Sequence, residues 1–93
     1  MAAIPHKGSE GNEVRELQQK LAKLGYDIDV DGKFGPVTDW AVKNLQAMFG
    51  YNVDGMVGPG TIKLMDSQIG YGWNAKSADA QHRALQAQGL IKG

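Results

Sequence analysis

The chain has 93 residues, ten basic and ten acidic, for a formal net charge of +0, with 42% hydrophobic residues and no cysteine. A chain this short forms one small domain that buries roughly two thirds of its unfolded surface. The balanced charge, with no basic run or basic helical stripe, argues against nucleic acid and anionic membrane as partners. Disulfide and thiol chemistry are excluded, and no run approaches the roughly 18 apolar residues of a membrane-spanning helix.

Residues 1–11 read as a flexible lead-in, with Pro5, Gly8 and Gly11. The start, Met1 to Lys7, has no apolar core segment, so a signal peptide is not expected. The reading is of a fragment, or of a chain that leaves the cytoplasm by another route.

Asn12 is the predicted N-cap of a first helix, with Glu13 favoured by the helix dipole. Val14, Leu17, Leu21 and Leu24 form one apolar stripe at three-to-four spacing. Glu16 and Lys20 have the favourable i,i+4 order. Gly25 stops the helix, and Tyr26 after it can fold back on apolar surface. Asp27 to Val30 alternates and reads as extended, with Ile28 and Val30 facing in.

Asp31-Gly32-Lys33-Phe34-Gly35-Pro36-Val37-Thr38 follows, and Asp54-Gly55-Met56-Val57-Gly58-Pro59-Gly60-Thr61 repeats it about two dozen residues later. Asp-Gly favours a tight turn, because Asp bonds its own backbone and Gly accepts positive φ. Phe34 and Val57 are candidate core anchors. Gly-Pro then launches a helix, since Pro at the first position loses only an N–H that had no partner. Thr38 and Thr61 fall in the first turn, where a hydroxyl can bond a free backbone group.

A second helix is predicted from Pro36 to Phe49. Its broad apolar face carries Val37, Trp40, Ala41, Leu45 and Met48, and Asp39 and Lys43 pair outside it. Gly50-Tyr51 repeats the stop. A third helix begins at Pro59 with Ile62, Leu64, Met65 and Ile69, and breaks at Gly70 to Asn74. A fourth runs from Ser77 to about Gln88.

Val14-x-x-Leu17-Gln18-x-x-Leu21-x-x-x-Gly25-Tyr26, the first Asp-Gly octet, Ala41-Val42-x-x-Leu45-Gln46 and the second octet keep their order and spacing over about residues 9–69. Together they resemble the peptidoglycan-binding domain family of bacterial and phage cell-wall hydrolases. The resemblance implies an all-α, compact three-helix bundle of two repeated turn-helix units, here with an additional C-terminal helix. Residues 12–69 would be the binding domain and 70–93 an extension. The implied function is a non-catalytic, monomeric module that targets a hydrolase, plausibly a phage endolysin, to peptidoglycan. It would act at the bacterial wall, outside the cell or in the periplasm. The alternative is a protein-interaction or pro-segment module covering a partner domain, since proregions of some metalloproteases look similar. The missing cysteine weakens a zinc-blocking version of it.

Candidate ligand contacts are Tyr26, Asp31, Tyr51, Asn52 and Trp73. The two tyrosines hold equivalent places and could line one groove, where a ring packs on a sugar face; the competing reading makes both of them helix-end plugs. Trp40 is assigned to the core. Trp73, between Gly72 and Asn74, is expected to be more exposed, or to pin the fourth helix. Asp27-x-Asp29-x-Asp31-Gly32 matches the opening of a calcium loop, but Thr38 stands where a bidentate carboxylate is required, so a structural turn is favoured. His6 and His82 lack zinc-ligand spacing. Glu10, Glu13 and Glu16 read as a solvated face, and the serines lack a nucleophile-elbow context. No metal, cofactor or catalytic residue is expected.

Overall fold

The computed structural model describes residues 4–75, within which the chain forms α1 (Asn12–Lys23), α2 (Pro36–Met48) and α3 (Pro59–Tyr71). The expected fourth helix lies outside the described residues. Among those described, β-pairing is limited to one isolated antiparallel bridge, Glu10 to Lys33. The fold is the all-α, three-helix bundle that the repeat predicts.

Each helix starts as the motif requires. Gly35 and Gly58 are extended N-caps without a side-chain cap, and Pro36 and Pro59 take the first helical positions. α1 departs from expectation: Gly11, at φ 124°, is the N-cap, and Asn12 is already helical. Glycine supplies that backbone angle where asparagine would be strained.

The helix ends share one device. Gly25, Gly50 and Gly72 adopt φ of 97°, 72° and 76°. After each, an aromatic residue donates its backbone N–H across the final turn: Tyr26 to Leu21 O, Tyr51 to Gln46 O, and Trp73 to Gln68 O, at 3.1, 2.8 and 3.0 Å. The glycines donate to Ala22 O, Ala47 O and Ile69 O. This is the paired closure of a Schellman motif, which satisfies carbonyls the helix leaves open. The third stop was legible in the sequence only as a break.

The core joins Val14, Leu17 and Leu21 of α1, Ala41, Val42 and Leu45 of α2, and Leu64 and Met65 of α3. Leu24, Tyr26, Ala75 and the two anchors, Phe34 and Val57, complete it. Burying each large aliphatic side chain is worth about 1.5–3 kcal/mol. Two residues expected inside face out: Val30 is exposed, and Val37 is 56% exposed on the outer side of the first turn of α2. Met48 and Trp40 are half-buried. Ile28 packs against the core from its edge.

Asp39 and Lys43 form the expected pair at 3.1 Å. Lys20 reaches across to Asp66 on α3 at 2.5 Å instead of pairing with Glu16. That contact ties two helices rather than two turns of one.

The lead-in differs most from its reading. Gly8 N donates to Phe34 O, Phe34 N to Ser9 O and Gly11 N to Gly32 O, each at 2.9 Å. Val57 N donates to Pro5 O at 2.9 Å. Residues 5–11 therefore run along both repeated octets and are bonded to each. Apolar periodicity could not reveal this, because the segment is held by backbone groups.

Candidate functional site

The two octets fold around buried glutamines. Gln18, on α1, reaches into the first corner; its Oε1 accepts the Gly32 N–H at 2.8 Å. Its amide nitrogen lies 3.1 Å from Asp31 Oδ1, 2.9 Å from Lys33 O and 3.1 Å from Thr38 Oγ1. Gln46, on α2, does the same in the second corner. Its Oε1 accepts the Gly55 N–H at 3.1 Å, and its nitrogen lies 2.9 Å from Asp54 Oδ1, 3.0 Å from Met56 O and 3.3 Å from Thr61 Oγ1. In both, the aspartate oxygen also accepts the N–H two residues on, from Lys33 or Met56, at 2.9 Å.

A primary amide suits this place because it donates and accepts at once. Each glutamine is about 1% exposed, so without these bonds it would be costly to bury. Thr38 and Thr61 are partners of the glutamine amides, and the Thr61 hydroxyl also reaches a backbone group, Met56 O, at 3.5 Å. The signal was present in the repeated Leu-Gln phrase. Its physical role was not readable until the corner placed four polar groups around one amide.

The bonds set the charge on the aspartates. The Lys33 N–H, with the Gln18 amide, holds the Asp31 carboxyl below its ordinary pKa. The Met56 N–H, with the Gln46 amide, does the same for Asp54. Both are exposed, ionised carboxylates whose inner oxygen is committed to the corner. Asp31 is thus the turn residue, and Asp27 and Asp29 lie along the same groove. Among the described residues, no three acidic or histidine side chains converge as a metal cluster.

A groove opens over each corner. The first, about 380 Å³, is lined by Asp27, Asp29, Asp31, Lys33 and Val37. The second, about 250 Å³, is lined by Ile4, Tyr51, Asn52, Asp54, Met56 and Gly60. A third hollow, about 540 Å³, lies between the lead-in and α3, with Pro5, Val57, Pro59 and Ile62 as its apolar floor.

The candidate aromatics divide. Tyr26 is buried, and its hydroxyl donates to Asn44 Oδ1 at 2.5 Å. Burial pushes its phenol well above the ordinary value. Its ring meets Trp40 edge-on at 5.8 Å and Trp73 at a tilt at 6.4 Å. Tyr26 is a helix-end plug, and it does not line the groove at Tyr51. Tyr51 is 42% exposed at the mouth of the second groove, beside exposed Asn52.

Position on the following helix explains the difference. Aligning the two Gly-Pro starts puts Lys63 and Ser67 of α3 where α2 has Trp40 and Asn44. The second tyrosine therefore has neither the ring nor the amide that receives the first. Trp73 is half-buried, edge-on to Phe49 at 5.1 Å, and closes the aromatic cluster over Tyr26.

Comparison with known proteins bears on this arrangement. A family model described as a peptidoglycan binding domain matches residues 10–65. A spore cortex-lytic enzyme of Halalkalibacterium halodurans is 51% identical over 53 residues, which is 56% of this chain and 16% of that enzyme. A zinc D-Ala-D-Ala carboxypeptidase of Streptomyces albus G is 41% identical over 58 residues, 59% of this chain and 23% of that one. Among solved structures, the SleB N-terminal domain superposes with a TM-score of 0.69 at 37% identity, over 74% of this chain and 96% of that domain. The chain thus spans less than a quarter of the length of either of these two enzymes.

Proposed function

The chain belongs to the peptidoglycan binding domain family, and from that premise we propose that it is a non-catalytic, monomeric module that holds a cell-wall hydrolase on peptidoglycan. The observation supporting this reading is the family match across residues 10–65, which covers both corners and every groove-lining residue named above except Ile4. The named relatives are wall-acting enzymes, and this chain aligns with only a small part of each. A parent hydrolase domain acting at the wall is part of the reading. A phage endolysin is its narrower version, and the bacterial relatives lend that version no support.

The module acts by mass action. Tethering an enzyme to an immobile polymer raises its effective concentration at the substrate with no new chemistry. In this reading the polymer meets the exposed residues at the groove mouths, Asp31, Tyr51 and Asn52, while Tyr26 and Trp73 brace the surface from behind. The two aspartates hold their corner as ionised acceptors, an arrangement suited to recognition rather than to general-base work.

Co-sedimentation with purified, protein-stripped bacterial walls tests the proposal. Saturable binding is expected, together with no clearing by the isolated chain in a zymogram. A chain that stays in the supernatant at every salt concentration would contradict the wall-binding role.

A further inference from the structure

Resting on that wall-binding reading, we propose that the two grooves are unequal subsites and that the second, at Tyr51, takes an N-acetylated hexosamine of the glycan strand. The bonds made by the glutamine and the aspartate match one for one beneath the two grooves, so those bonds cannot distinguish ligands. The linings can. At equivalent places the first groove has Asp27, Lys33 and Val37, and the second has Asn52, Met56 and Gly60.

Those exchanges change the chemistry of the second groove in one direction. Tyr51, Met56 and Ile4 are 42%, 41% and 44% exposed around one hollow. A tyrosine ring offers a face to the C–H side of a pyranose. The thioether of Met56 and the side chain of Ile4 suit an acetyl methyl, since a thioether is polarisable and adapts its shape. The Asn52 amide and the outer oxygen of Asp54, which carries none of the corner's bonds, can meet ring hydroxyls and the acetamide N–H. At about 250 Å³ the hollow has room for about one sugar residue.

Charge selects the glycan over the peptide part of the polymer. The second groove has one carboxylate and no cation, which suits a neutral sugar. A wall peptide bears free amino and carboxyl groups. The first groove, with Asp27, Asp29 and Lys33, is the better electrostatic match for those.

The test is a chemical-shift titration of the full chain with a peptide-free N-acetylglucosamine oligomer, beside sedimentation with whole walls. Saturable shifts are expected at the backbone amides of residues 51–56 and Gly60. Tyr51→Ala should weaken oligomer binding about tenfold, the upper range for one ring contact. Met56→Lys with Gly60→Val, which grafts the first groove's residues onto the second, should abolish it. A Cβ added at Gly60 meets nothing within 4 Å, and Met56 contributes only backbone atoms to the corner, so this variant should melt with the wild type. If the chain sediments with walls but the oligomer shifts residues 27–37, shifts nothing, or binds Tyr51→Ala equally well, the subsite assignment is overturned and the wall-binding role stands. If the chain does not sediment, both fall.

Discussion

The Tyr26 hydroxyl bonds Asn44 Oδ1 inside the core, and that contact separates two tyrosines that follow the same helix stop. Removing the hydroxyl should therefore matter at one site only. Tyr26→Phe is expected to cost about 1 kcal/mol, the usual net value of an internal hydrogen bond. Tyr51→Phe should fall within about 0.5 kcal/mol of wild type, as for exposed positions. Alkaline melting adds a second readout. Tyr26 has a raised pKa in the fold, so its contribution is complete below the unfolded phenol value of about 10 and is lost as pH climbs from there toward the folded value. Tyr26→Phe should lack that part of the alkaline loss.

Gln18→Ala and Gln46→Ala should destabilise alike. Each strips a buried glycine N–H of its acceptor, takes one of two donors from a turn carbonyl, and empties the space the side chain filled. At about 1–3 kcal/mol per unsatisfied group, denaturant melts should show losses of about 2–4 kcal/mol for either. A small change at one site and a large change at the other would break the equivalence. Glutamate in either place should be worse at neutral pH, because it faces an aspartate and a carbonyl without a donor. Part of that loss should be recovered in acid.

The helix stops should differ in their tolerance of alanine. Gly50→Ala places a Cβ at φ 72° with nothing within 4 Å, so it meets only the left-handed backbone penalty of about 1–2 kcal/mol. Gly25→Ala meets the same penalty and also sets its Cβ 2.9 Å from Asn74 Cγ and 3.2 Å from Ala75 N. Thermal melts should rank Gly25→Ala clearly below Gly50→Ala.

Acid should loosen both corners. Asp31 and Asp54 have lowered folded pKa values, so their contribution is complete above the unfolded carboxyl value of about 3.9 and fades as pH falls below it through the folded values. Asp31→Asn with Asp54→Asn should flatten this limb below about pH 4. A wild-type acid limb unchanged by the double substitution would contradict it.

Much of this architecture was written in short-range pattern. The Gly-Pro starts, the Phe34 and Val57 anchors and the first two Gly-Tyr stops follow from local backbone preferences, and the structure has them where the pattern puts them. What pattern could not supply was partner choice across distance. Tyr26 is buried because Trp40 and Asn44 await it on another helix. Lys20 finds Asp66 rather than Glu16 for the same reason. Val37 reads as apolar face yet stands outside, since α2 turns Thr38, Ala41 and Val42 inward instead. The lead-in is held by main-chain groups, which have no residue-type signature. Of the candidate contacts, the aromatic types were visible in the sequence, but the burial of Tyr26 depended on Trp40 and Asn44, on a helix not yet reached by the chain.

The Ala75 N–H bonds Leu24 O at 2.6 Å, just past the end of α1. Tension applied downstream of that point would enter the bundle at the far end of its first helix. It would load the Ala75–Leu24 contact and the packed Trp73 indole before it reached the last turn of α3. The bundle would then feel a tug as strain shared among helices, not as the peeling of one.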